Sequence, residues 1–415
     1  MKSLPRDLQP ALVRLSATAR VILLTGARQA GKSTLLREAL GPRFSYRLMD
    51  DPAEAEIFRA DPSGFLAALG RRAVLDEAHA VPELFLAVKN AVDRDASLRY
   101  ALSGSANPAL MEGARELLPG RSRLLELRPF SVRELAGSPG RGLFDLLVAS
   151  RLGARPAELA ARVHPAPPSV LDRMLVWGGF PEPALSGGIA RAAWYAGYVR
   201  LYLERDVRGL RAVPDLGVFR RFMRLVAART AQTLNLSDIS RELGISSMTA
   251  RRYLDHLELT YQIVSLPPYF RNVGKRIVKS PKVHWADPGV ANHLTATQDL
   301  RLLERLERIG PVFESWGVAE AVKALGHRHP ELSAQLHHFR TGSGDEVDLV
   351  LECGEKLLPI EFKATRTPTP RMAAGLRRFL DLSPGQAPAG LLVHRGDRVV
   401  PLARDILAVP ATVYA

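Results

Sequence analysis

Eight residues constrain this chain more than any others: Gly26-Ala27-Arg28-Gln29-Ala30-Gly31-Lys32-Ser33. They follow Val21-Ile22-Leu23-Leu24-Thr25, an apolar and partly β-branched run with the length of a buried strand. They precede residues 34–40, which read as a helix. Strand, G-x-x-x-x-G-K-S, helix is a phosphate-binding loop in the context its physics requires. The glycines let the backbone turn tightly, so that its N–H groups converge on phosphate oxygens. The start of the helix adds the positive end of its dipole. Residues 26–33, with Thr34, are therefore expected to cradle ATP. Lys32 would reach the β- and γ-phosphates, and Ser33 would ligate Mg²⁺.

Arg72-Ala73-Val74-Leu75-Asp76-Glu77 reads as a further strand ending in two acids. It lies far enough downstream to leave room for an intervening strand and helix. Asp76 is placed to hold the Mg²⁺ through water, and Glu77 to polarise the attacking water as general base. His79 is expected to be a helix-start or surface histidine, since nothing close in sequence pairs with it. A third strand, Arg99-Tyr100-Ala101-Leu102-Ser103, runs into Gly104-Ser105-Ala106-Asn107. Ser105 and Asn107 are candidates to sense the γ-phosphate or the water; a plain turn rich in Ser and Gly is the alternative.

Residues 26–33, Asp76-Glu77 and Leu102-Ser103-Gly104-Ser105 together resemble the AAA+ ATPases. Further runs are similar to one branch of them: Leu118-Pro119-Gly120-Arg121 ahead of Leu124-Leu125-Glu126-Leu127-Arg128-Pro129-Phe130-Ser131, then Trp177-Gly178-Gly179-Phe180-Pro181-Glu182, then Tyr202-Leu203-Glu204-Arg205-Asp206. That branch comprises bacterial and archaeal AAA-type ATPases with a C-terminal restriction-endonuclease-like domain of the PD-(D/E)xK type. The resemblance covers nearly the whole chain. It implies a five-stranded parallel sheet and a ring or other homo-oligomer with ATP between subunits. It also makes Arg121, or else Arg205, the candidate arginine finger reaching a neighbour's nucleotide.

The middle of the chain reads as mostly helical. Residues 137–168 are rich in Gly, Pro, Arg and Ala and are expected to be a linker with a short helical lid. Residues 169–215 look helical, with Trp194, Tyr198, Leu201 and Tyr202 as a core-facing stripe. An Arg-rich amphipathic helix follows over residues 218–229. Residues 236–243, the turn Gly244-Ile245-Ser246 and residues 247–257 then have helix-turn-helix grammar, with Ser246 as the cap of the second helix. Residues 261–266 and the basic stretch 271–282 would supply a β-wing. Ser247, Thr249, Arg251 and Arg252 would face a groove and contact phosphates or bases. Such modules also serve for dimerisation or packing.

From Ile309 the pattern changes to helix, three strands, helix, strand, the core order of the restriction-endonuclease fold. Alternation puts Glu361 and Lys363 on one face of their strand, and Asp348 on the adjacent strand can face Glu361. Two carboxylates there would hold Mg²⁺, with Lys363 stabilising charge at the reaction centre. An acid of the first helix, Glu314 or Glu320, commonly completes such a site, and the sequence does not choose between them. The alternative is the same fold with these residues used structurally, or for binding without cutting.

Charge agrees with a polyanionic partner. The 415 residues include 57 Lys and Arg against 43 Asp and Glu, a net +14, which favours nucleic acid first. Heavy use of Arg, Ala, Gly and Pro also arises from genome composition alone. With 47% hydrophobic and 24% charged residues, global disorder and a collagen-like fibre are excluded. No run approaches the ~20 apolar residues of a membrane span, and the N-terminus lacks the features of a secretory signal. The one cysteine, Cys353, rules out an intrachain disulfide and fits a reducing cytoplasm. The expectation is a cytoplasmic α/β protein: an AAA+ P-loop core with a parallel sheet (1–136), a helical lid or linker (137–215), a winged-helix-like DNA-binding module (216–285) and an α/β restriction-endonuclease-like domain (286–415). ATP and Mg²⁺ are its cofactors. DNA and further copies of itself are its partners, and no membrane is involved. A protein-directed ATPase switch with a dead nuclease-like domain, and a Mg²⁺-dependent nuclease gated by ATP, are the alternatives.

Overall fold

A computed structural model describes residues 4–104, 116–138, 140–187, 189–202, 215–270 and 280–415. The sensor candidates Ser105 and Asn107, and the second finger candidate Arg205, lie outside the described residues. The chain forms two compact units. The first is Met1–Pro129 with Leu259–Tyr261 and Gly326–Pro330, and the second is the remainder.

The first unit is built on β1 (Val21–Gly26), β2 (Ser45–Leu48), β3 (Arg72–Asp76), β4 (Arg99–Ser103) and β5 (Ser122–Leu127). All pairings are parallel, in the order β2-β3-β4-β1-β5. Every residue of β1 is buried, which explains its unbroken apolar run: a parallel strand covered on both faces has no polar side to alternate with. The helix Glu83–Arg94 buries Leu84, Phe85, Val88 and Val92, each contributing about 1.5–3 kcal/mol of apolar transfer. They join Val21, Leu23, Phe58, Phe65, Leu75 and Leu102 in one core. Because β4 lies between β1 and β3, the C-terminal ends of all three reach the same sheet edge. In such sheets, ligands bind at that edge.

In the second unit, the described residues between 132 and 258 are mostly helical. The stretch 137–168, expected as a linker with a short helical lid, contains the helices Leu143–Ala149 and Pro156–Ala160, with Leu143, Phe144, Leu147 and Val148 buried. The expected helical stretch after it is divided into Pro168–Trp177, Pro181–Leu185 and Ile189–Tyr202. The break at Gly178-Gly179 is a packing device. Asp287 Oδ2 accepts a hydrogen bond from Gly179 N at 2.7 Å, Asp287 Oδ1 accepts one from Val290 N at 3.2 Å, and any Cβ on Gly179 would overlap Phe130 O. In the aromatic stripe, Trp194 stacks on buried Tyr198 with ring centroids 5.0 Å apart, whereas Leu201 is exposed. Leu201 therefore does not share the core face.

The helices Leu236–Leu243 and Ser247–Leu259 flank the Gly244 turn as the sequence predicts. Strands β6 (Gln232–Thr233), β7 (Ile263–Leu266) and β8 (Lys282–Trp285) form a small antiparallel sheet in the order β6-β8-β7. After the helix Ile309–Arg328 come β9 (Ala334–Arg340), β10 (Glu346–Cys353), β11 (Lys356–Lys363), β12 (Gly390–His394), β13 (Val400–Ala403) and β14 (Ile406–Pro410). They make a mixed sheet ordered β13-β14-β12-β11-β10-β9. The β9-β10-β11 meander is antiparallel, and β11, β12 and β14 are parallel. The helix Ala374–Leu382 makes the crossover from β11 to β12, with Leu376 and Phe379 packed on Val347, Val350 and Leu392. Among the described residues, no helix is long and apolar enough to cross a membrane.

Candidate functional site

The C-terminal edge of the first sheet brings the two sequence motifs together. Strand β1 ends at Gly26 with φ +144°. A Cβ there would overlap Leu127 O on β5, so only glycine lets the two strands close. Gln29 (φ +59°) and Gly31 (φ +96°) complete the turn, and the helix begins at Lys32. No side chain caps that helix start, so its first N–H groups are available to an anion. Arg6 braces the loop from outside, donating from Nη1 to Ala30 O at 2.8 Å and from Nη2 to Arg128 O. Lys32 is only 6% exposed, and its Nζ donates to Gly26 O at 3.2 Å and Ala27 O at 2.9 Å. The ammonium is thus held inside the loop's own turn.

Asp76 closes β3 at 1% exposure. Its Oδ2 accepts from the Tyr46 hydroxyl; its Oδ1 accepts from the Ser103 hydroxyl and from Glu77 N at 3.1 Å. Burial, with the Asp76 carboxylate beside it, pushes the Tyr46 phenol up to about 12. Glu77 takes a left-handed φ of +53°, and its Oε2 lies 3.2 Å from His79 Nδ1. Burial raises the Glu77 carboxyl, but the contact with His79 and the charge of Lys32 outweigh it and leave the group below its usual range. It is therefore ionised at neutral pH, the form a general base requires. This corrects the expectation for His79, which is the partner of Glu77 and not a solitary surface group. Tyr46 and Ser103 are site residues that the motifs do not reveal. The small polar Ser103 at the end of β4 was the available signal.

Arg121 sits at the other edge. It immediately precedes β5, whose Ser122 registers with Val21 at the start of β1. Its Nε and Nη2 donate to the two oxygens of Asp93, at 2.5 and 3.0 Å. A residue there does not reach the phosphate loop of its own chain.

On the second helix of the helix pair, Ala250, Tyr253, Leu254 and Leu257 are buried, while Ser247, Arg251 and Arg252 are exposed and Thr249 is half-buried. The Ser246 hydroxyl accepts from Thr249 N at 3.0 Å, the cap expected of it. Arg251 Nε also donates to Asp255 at 2.9 Å.

The C-terminal acids converge only in part. Asp348 Oδ2 accepts from Phe362 N at 2.9 Å, and Lys363 Nζ donates to Glu361 Oε1 at 2.5 Å. Glu314 joins them, whereas Glu320 does not: it binds Lys323 Nζ at 2.8 Å and Val132 N at 3.1 Å. Six residues at about 100° each put the two glutamates roughly 240° apart around their helix. At the centre is a residue that the sequence reading assigned to a basic wing. Lys282, 3% exposed, lies 2.6 Å from Glu314, 2.6 Å from Glu346 and 3.1 Å from Asp348. Burial alone would favour a neutral amine, but the three carboxylates prevail and raise its pKa. Among the described residues, no group of three or more acidic, His or Cys side chains is arranged to hold a metal ion.

Burial, reinforced by Asp348 and opposed by Lys363, pushes Glu361 up to about 8 from its usual 4.5. Between those values the folded state keeps a proton that the unfolded chain releases, so stability falls as pH rises through that window. Glu361→Gln cannot ionise. Its denaturation midpoint should therefore fall less than that of the wild type between about pH 5 and about pH 8. Equal falls in the two proteins would contradict this assignment.

Comparison with known proteins assigns the segments. Residues 18–136 match the AAA domain family. Residues 169–301 match a domain of unknown function, DUF8612, and residues 309–414 another, DUF4143. Two mycobacterial proteins, uncharacterized protein Rv2008c of Mycobacterium tuberculosis and uncharacterized protein Mb2031c of Mycobacterium bovis, are each 32% identical over 411 residues, spanning 98% of this chain and 83% of theirs. The Walker-type ATPase PABY2304 of Pyrococcus abyssi is 16% identical with a TM-score of 0.43, over 69% of this chain and 94% of that one. A RuvB structure of Thermotoga maritima is 17% identical with a TM-score of 0.28, over 63% and 86% respectively. Structural likenesses this distant say nothing of what the chain binds.

Proposed function

We propose, from the premise that this chain belongs to the family of the mycobacterial Rv2008c and Mb2031c proteins and carries an AAA ATPase domain, that it is a DNA-acting motor or switch driven by Mg²⁺-dependent ATP hydrolysis. The four-part division 1–136, 137–215, 216–285 and 286–415 belongs to this reading, with a winged-helix-like third part and a restriction-endonuclease-like fourth. The donor set suits Mg²⁺-ATP: an uncapped helix start, a buried lysine at the turn, Ser33 beside it and a buried Asp76 at the neighbouring strand end. Mg²⁺, held by Ser33 and through water by Asp76, would neutralise charge on the phosphates. Lys32 would exchange its loop carbonyls for phosphate oxygens. Ser33 and Asp76 would orient the metal and its water, and Glu77 would take the proton of the attacking water while His79 keeps it ionised and placed. Arg121 supports self-association. Since it lies away from its own loop, it would serve a nucleotide held by another copy.

The observation that carries the DNA reading is the second helix after Gly244. It buries its apolar face and leaves Ser247, Arg251 and Arg252 outside, in a chain of net charge +14. The test is ATP turnover with and without duplex, single-stranded and branched DNA at low salt, where phosphate contacts are strongest. Turnover indifferent to all three would overturn it. The double variant Arg251→Ala/Arg252→Ala should weaken DNA binding and reduce the slope of log affinity against log salt by about 1–2. An unchanged slope would remove this helix from the interface. The pairing of Arg251 with Asp255 and of Arg241 with Asp238 favours a second reading, a protein-directed switch. Absence of any mobility shift of labelled DNA across salt would select it.

A further inference from the structure

We infer that the ammonium of Lys282 takes the place of a divalent cation in the C-terminal acidic cluster, so that the cluster binds no metal and the domain does not cut nucleic acid by metal chemistry. The inference rests on the restriction-endonuclease-like reading of this domain and on nothing about ATP or DNA. That reading expects Asp348, Glu361 and a helix acid to surround a metal ion. The structure puts Lys282 Nζ there instead, within 2.6–3.1 Å of Glu314 Oε1, Glu346 Oε1 and Asp348 Oδ1. Of its three donors, the ammonium gives one each to Glu346 Oε1 and Asp348 Oδ1 of β10, and Glu314 Oε1 of the helix Ile309–Arg328 is an ion-pair contact at 2.6 Å. A metal would need these same oxygens at about 2.0–2.6 Å, a few ångströms from a buried positive charge.

The lysine is also firmly placed. It lies on β8, registered with Leu266 of β7 and Thr233 of β6, and is almost wholly buried. Two further oxygens of the cluster are committed. Asp348 Oδ2 accepts from Phe362 N, and Glu361 Oε1 accepts from Lys363. Glu361 Oε2 and Glu314 Oε1 are buried without a hydrogen-bond partner, but Glu314 Oε1 lies 2.6 Å from the ammonium, so a cation there would have to displace Lys282. Glu346 is 35% exposed, so solvent shares in balancing its charge. The cluster thus works as an ionic pin joining β8, the helix Ile309–Arg328 and β10.

The test is a Mn²⁺ titration of the nucleotide-free full-length protein, followed by the paramagnetic resonance signal of the free ion. Wild type, Asp348→Asn, Glu361→Gln and Lys282→Met are compared, without ATP or DNA, so that failure of the ATPase or DNA reading leaves the result intact. The expected result is no Mn²⁺ bound by the wild type in the micromolar range, or only binding that Asp348→Asn and Glu361→Gln retain. Lys282→Met should melt at a lower temperature than the wild type and regain part of the loss when Mn²⁺ is added. One Mn²⁺ bound by the wild type and lost in Asp348→Asn or Glu361→Gln would overturn the inference. This comparison decides it even where Lys282→Met does not fold.

Discussion

Glu77→Gln is expected to lower ATP turnover by about 10²- to 10⁴-fold, the usual contribution of a positioned general base, with nucleotide affinity unchanged. The side chain keeps its shape and loses only the ability to accept a proton. Its surroundings favour the ionised form in the wild type: burial opposes it, but His79 at 3.2 Å and the charge of Lys32 prevail. The contacts that would carry binding, at Lys32, Ser33 and the turn of β1, are untouched. A variant that binds but does not turn over has lost an interaction made only on the way to the transition state. Single-turnover hydrolysis, paired with calorimetric titration of a non-hydrolysable ATP analogue, reads the two quantities separately. Full turnover in Glu77→Gln would mean that another group activates the water; equal loss of binding would mean that Glu77 shapes the loop instead.

Gly26→Ala should cost about 2–6 kcal/mol of stability in the first unit and remove protection by ATP. Two effects add. The new Cβ overlaps Leu127 O, and relieving such crowding in a packed sheet costs about 1–3 kcal/mol. The residue also holds φ +144°, a region closed to side-chain-bearing residues at about 1–3 kcal/mol. Both fall where β1 pairs with β5 and turns into the phosphate loop, so the strand cannot yield without moving the loop. Thermal unfolding with and without Mg²⁺-ATP measures it. A first transition at the wild-type temperature, still raised by nucleotide, would show that β5 does not close against Gly26.

Much of the nucleotide site is legible in the chain because its geometry is local. Two glycines, a lysine and a serine within eight positions encode both the turn and its chemistry, and an acid pair after an apolar strand needs only that strand's end to be near. Tyr46 and Ser103 were illegible as Asp76 partners, because their role depends on β2 and β4 both flanking β3. Pairing between strands depends on burial on both faces of the sheet, which no single segment records. The choice between Glu314 and Glu320 failed for a related reason. Both lie on one helix, and which face meets β10 is decided by packing.

By itself the sequence determined a phosphate loop with its two acids, a helix-turn-helix segment and an alternating Glu-x-Lys strand, since each is written in contiguous residues whose backbone form follows from their own chemistry. Only the tertiary structure decided that His79 belongs to Glu77 and that Lys282, 64 and 66 positions away from Glu346 and Asp348, sits among the C-terminal carboxylates. Charges attract through space regardless of chain separation, and burial strengthens that attraction only after folding has removed the water between them.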